Sequence, residues 1–131
     1  MARASSGFPI RVAITPDGGK ALVSVARAGE VVVFDVQHRK ELTRRKLDLT
    51  NVPDASARLF GDSFGDSPVP VGLVIHPSGD LAWVAATQAD AVVVIDTEDL
   101  AVKDLLQAGK EPDGMSFSPI SVSGVSSSGA Q

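Results

Sequence analysis

Seven side chains in this chain are candidates for recognition chemistry: Arg11, Arg27, Asp62, Asp66, Gln88, Asp90 and Asp113. An arginine fork carries a fixed charge and grips oxyanions through paired donors, which makes Arg11 the foremost candidate for holding an anionic group. A salt bridge to Asp62, Asp66 or Asp113 is the competing use of that charge. Asp62 and Asp66 stand four apart in Gly61-Asp62-Ser63-Phe64-Gly65-Asp66-Ser67. Glycines there can bring carboxylate oxygens around a hard cation such as Ca²⁺. EF-hand spacing is absent, however, and a lid whose Phe60 and Phe64 pack down accounts for the same residues, so no metal is assigned. No cofactor is implied. His76 precedes a turn proline with no second histidine near it, and reads as a hydrogen-bonded turn residue rather than a ligand. His38 lies in the basic run Gln37–Lys46, which reads as a solvated outer edge. The sequence contains no G-x-S-x-G elbow, P-loop or H-E-x-x-H.

What positions these residues is a repeat. Pro9–Asp35 and Pro70–Asp96 align without a gap at a constant spacing of 61, with eleven of 27 positions identical. A third copy runs from Pro112 to Pro119, 42 residues after the second, and keeps the Pro-x6-Pro frame. Such self-similarity marks a repeat architecture. In the second copy, Val71–Ile75 is a short apolar run fit for a strand buried on both faces. Pro77-Ser78-Gly79 is a turn, and Leu81–Ala86, Ala91–Ile95 and Val102–Leu106 supply three more strands. The first copy repeats the plan over Ile10–Ile14, Lys20–Val25 and Val31–Phe34. Its fourth strand, Glu41–Leu47, is studded with Lys and Arg, which suits an edge that resists aggregation. Asp35 and Asp96 recur after the third strand and are expected to bond backbone amides. No helical stripe survives the Pro and Gly interruptions.

Four antiparallel strands in about 40 residues make one β-propeller blade. The frame Pro70-Val-Gly72-Leu-Val-Ile-His-Pro77-Ser-Gly79, followed by Val-Ala-Ala and Val92-Val-Val-Ile-Asp96, resembles the YVTN-type propeller repeat of bacterial proteins. The likeness covers Pro9 to Pro119. It departs at Leu22-Val-Ser-Val25 and Trp83-Val-Ala-Ala86, which lack the Tyr and Asn of the family pattern. The expected fold is all-β: two four-stranded antiparallel blades plus one extra inner strand, Asp113–Phe117, in an incomplete ring. Residues 9–50 and 70–111 are then the blades and 51–69 an insertion between them. Residues 112–119 are a closing strand, with disordered segments at 1–8 and 120–131.

Rings of this kind use about four to eight blades, so the chain reads as the C-terminal portion of a larger propeller. The alternative is a short chain that builds its ring from about three copies. In a blade, the loops between second and third strands share a face with those leading into the next blade. The insertion, roughly Asp48–Ser67, opens there, as do Arg27, Glu30, Gln88, Asp90, Glu111 and Asp113. The sequence therefore points to a non-catalytic binding scaffold for a protein or small ligand at the loop face. Such a module needs further blades or self-association to complete it. The alternative implied by the resemblance is a lactonase-like or metal-dependent propeller enzyme. Net charge of −4 without basic-aromatic interleaving argues against nucleic acid. No apolar run reaches the length of a membrane span. The chain has no cysteine, which excludes disulfides and thiolate sites. Relatives of the resembled type are often exported, but Met1–Phe8 has no signal-peptide core, and location stays open.

Overall fold

The structure, a computed structural model, describes residues 7–47, 49 and 67–121. Eight strands follow one another: β1 (Pro9–Ile14), β2 (Lys20–Val25), β3 (Glu30–Asp35), β4 (Lys40–Lys46), β5 (Pro70–Ile75), β6 (Leu81–Ala86), β7 (Ala91–Asp96) and β8 (Val102–Gln107). They form two antiparallel meanders, β1-β2-β3-β4 and β5-β6-β7-β8. A single 3-10 turn at Thr87–Ala89 bridges β6 and β7. The turns are set locally. Gly18 and Gly79 take the left-handed conformation after Pro16 and Pro77, where a side chain would be strained. Asp35 Oδ1 accepts the His38 amide at 2.8 Å, and Asp96 Oδ1 accepts the Glu98 amide at 2.8 Å.

The repeat is written into the backbone as well as the side chains. Left-handed residues recur 61 apart at Gly29/Asp90 and Arg39/Leu100, and Phe8, Val69 and Glu111 share that conformation before each repeat's first proline. For a non-glycine residue it costs roughly 1–2 kcal/mol, so the strand geometry, not local preference, imposes it. Register shifts also recur, at Pro9/Arg11 and Pro70/Leu73, then at Val33/Phe34 and Val94/Ile95.

The sheets pack face to face. Leu22 pairs with Val33 and Ser24 with Val31, so all four lie on one side of the first sheet. On the second sheet Ala82 pairs with Ile95, Val84 with Val93 and Ala86 with Ala91. These two sides meet in one buried cluster that also takes in Leu47, Leu49 and Leu100, with Leu73 and Ile75 packed against it. Polar ties cross the same seam. Ser24 Oγ donates to the Val71 carbonyl at 2.8 Å, and Arg45 Nη1 donates to the Asp99 carbonyl at 3.1 Å.

The extra strand expected at Asp113–Phe117 forms no ladder, because no strand lies beside it among the described residues. It nonetheless lies where a third repeat belongs. Asp113 corresponds to Val71, and its carbonyl presses so closely on Gly72 that a Cβ there would overlap it. Thr87 Oγ1 donates to the Pro112 carbonyl at 2.7 Å, and the Phe117 ring meets His76 edge-on with centroids 5.2 Å apart. Gly7 and Phe8, expected to be disordered, have carbonyls that accept the Arg27 and Ala26 amides at 2.8 and 2.9 Å. The core of the expected insertion lies outside the described residues.

Candidate functional site on the loop face

One end of the seam gathers the turns β2–β3 and β6–β7 and the lead-in to β5. Ser67 ties them. Its hydroxyl donates to the Ala26 carbonyl and accepts the Val69 amide at 2.9 Å, and its carbonyl accepts Gln88 Nε2 at 3.2 Å. Two candidates, Arg27 and Gln88, thereby flank Ser67-Pro68. Beside them opens a cleft of about 280 Å³ whose lining includes Arg27, Gly29, Lys46, Leu47, Ser67 and Pro68. Both cations are exposed.

The other candidates behave differently. Asp90 acts as a brace: Oδ1 accepts the Glu111 amide at 2.9 Å and its carbonyl accepts the Ala108 amide at 2.9 Å. Asp113 contributes its carbonyl to the packing on Gly72. Arg11 lies outside the cleft. Its amide donates to Ser24 Oγ at 3.2 Å, and no salt bridge to Asp113 forms. Asp62 and Asp66 lie outside the described residues. Sequence reasoning missed Lys46 as a site residue, having placed it in the solvated edge. Its place in the cleft follows from where β4 ends relative to Pro68, which no local pattern encodes.

The basic edge strand is partly neutralised. Arg44 bonds Glu30 at 2.8 Å and Glu41 at 2.7 Å, and its hydrogen bonds, then its charge, hold the Glu41 carboxyl below the usual range. At the far end of the seam, a groove of about 290 Å³ is lined by Thr15, Asp17, Lys20, Asp80 and Glu98 among others. Asp17 is held below the ordinary carboxylate range by the Thr15 hydroxyl at 2.6 Å and the Gly19 amide at 2.9 Å. His76 Nδ1 accepts the Ser78 amide at 3.0 Å, and the ring packs against Trp83 as well as Phe117. Among the described residues no group of three or more His, Cys, Asp or Glu is placed to hold a metal ion.

Several solved structures share this arrangement. Kuenenia stuttgartiensis hydrazine synthase superposes with a TM-score of 0.68 at 18% identity over 91% of this chain and 28% of its own. U3-55K gives 0.62 at 10% identity over 83% of this chain and 29% of its own. The β-propeller domain of Myceliophteria thermophila Cps50 (Swd1) gives 0.60 at 14% over 84% and 29%. The fold is that of adjoining β-propeller blades. The chain spans less than a third of the length of these structures. No family model matches it, and no curated protein does either. The first blade is therefore β1–β4 and the second β5–β8, with the cleft lined by the first blade and by Ser67-Pro68 of the lead-in to the second. No helix among the described residues is long and apolar enough to cross a membrane.

Proposed function

We propose that this chain is a non-catalytic binding module: two blades of a larger propeller, of a type similar to the YVTN repeat, holding a protein partner on the loop face. One observation carries the reading. Positions that recur between blades do structural work, as the bonds of Asp35 and Asp96 illustrate. The positions flanking Ser67-Pro68 at the loop-face cleft do not recur: Arg27 corresponds to Gln88, and Lys46 to Gln107. Loops on a rigid scaffold are where binding residues concentrate. The likeness to the WD40 repeats of RRP9, with a TM-score of 0.60 at 10% identity, is one of fold. No observation favours the lactonase-like alternative over this one.

The test places a photo-crosslinking amino acid at Gln88 or at Ser78, on opposite ends of the seam, in extract of the source organism. Mass spectrometry then identifies what is captured. The expected result is one defined polypeptide from the Gln88 probe and none from the Ser78 probe. Equal capture from both ends, or none from Gln88, would contradict a loop-face binding module.

A further inference from the structure

We infer that the cleft between Arg27 and Lys46 is a docking site for an acidic, extended segment of a partner protein. This deepens the binding-module reading and rests on it. The two cations come from different elements, the β2–β3 turn and the end of β4, and line one cleft of about 280 Å³. Neither makes a side-chain hydrogen bond or ion pair among the described residues. Glu30, which pairs with Lys46 across the ladder, gives its carboxylate to Arg44 instead. Two cations without an ion-pair partner among the described residues thus line one cleft of a chain whose net charge is −4.

The second blade supplies a comparison within the same molecule. At its corresponding positions stand Gln88, Gln107 and, in place of Gly29, Asp90. The backbone is kept, since Leu47 N donates to Gly29 O and Ala108 N to Asp90 O at 2.9 Å in both blades. The blade plan therefore does not need the charge. It is a property of the first seam alone.

The surroundings select the form of the anion. The amides of Arg27, Ala28, Gly29 and Leu47 already donate to backbone carbonyls, so these four offer no nest of free N–H groups to a phosphate. Leu47 and Pro68 instead give the cleft apolar wall beside the charges. That combination suits a glutamate or aspartate side chain with its methylenes, carried on a peptide. Arg27 can take the carboxylate through paired donors, with Lys46 as a second point charge.

The experiment is a fluorescence-anisotropy titration of the full chain with a labelled peptide of alternating glutamate and valine at low ionic strength. An alternating lysine–valine peptide is the control. Saturable binding of the acidic peptide alone is expected, weakened by salt and by about tenfold or more in Arg27→Glu/Lys46→Glu. Arg39→Glu, an exposed cation outside the cleft, should leave binding unchanged. Arg27→Gln/Lys46→Gln repeats the test without charge reversal, and circular dichroism confirms that each variant folds. Unchanged binding in both double variants, an equal loss in Arg39→Glu, or displacement of the peptide by inorganic phosphate at an ionic strength where chloride leaves it bound would overturn the proposal. A loop-face partner captured through Gln88 whose binding ignores Arg27 and Lys46 would sink this site while sparing the module.

Discussion

Ser24 shows how a single hydroxyl joins two blades. The side chain is fully buried, accepts the Arg11 amide freed by the register shift in β1, and donates to the Val71 carbonyl of the next blade. Replacing it with alanine removes the partner of the part-buried Arg11 amide and Val71 carbonyl, a loss of about 1 kcal/mol. Ser24→Ala should lower the urea midpoint accordingly with an unchanged slope, and a midpoint equal to the parent's would refute the bridging role. The sequence singled out Arg11 for its charge, whereas the structure uses its amide. Residue type announces what a side chain can do, but a register shift decides which backbone group is left needing a partner. The positions of Arg27 and Gln88 at one end of the seam were legible because both fall in turns whose place in the repeat is fixed. Lys46 was not, since its neighbours come from a distant stretch of chain.

At the scale of elements, two turn carboxylates contribute to the pH response beside Glu41 of β4. Asp17 is held below its ordinary range by the Thr15 hydroxyl and the Gly19 amide. Asp35 is held there by the His38 amide and then the His38 ring, 3.1 Å away. A carboxyl depressed in the folded state stabilises the fold fully above its unfolded value, about 3.9. That stabilisation disappears as pH falls through the folded value. Unfolding midpoints should therefore be level near neutrality and fall below about pH 4. Asp17→Asn/Asp35→Asn should flatten that acid limb, and an acid limb identical to the parent's would show that these turns do not carry it. The strands themselves were readable because proline and glycine punctuate short β-branched runs at both ends. The register shifts and the left-handed Val69 and Leu100 were not, since they are forced by pairing across strands and break the local preferences a sequence displays. The segment after Pro112 shows the same limit: its pattern is that of an inner strand, but a ladder needs two partners.

The whole molecule is governed by the faces of its wedges. In the second blade, Leu73 and Ile75 pack against the seam cluster. Their counterparts in the first blade, Val12 and Ile14, are 61% and 52% exposed. Both pair on the side of the first sheet away from Leu22 and Ser24, opposite Val23 and Ala21. Equivalent surface is buried at the seam of the second blade, so this open side of the first blade can take a further blade or a second copy of the chain. The period of the repeat made this arrangement legible before any contact was known, because each copy has one apolar side more than it can bury alone. Which copy faces which, and through what residues, required the register. The most direct test is a methyl NOE experiment on the selectively labelled chain. Stacked blades should give strong cross-peaks between the methyls of Leu22, Val31 and Val33 and those of Ala82, Val84 and Val93. Cross-peaks confined within each four-stranded sheet, with none between these two sets, would contradict the account.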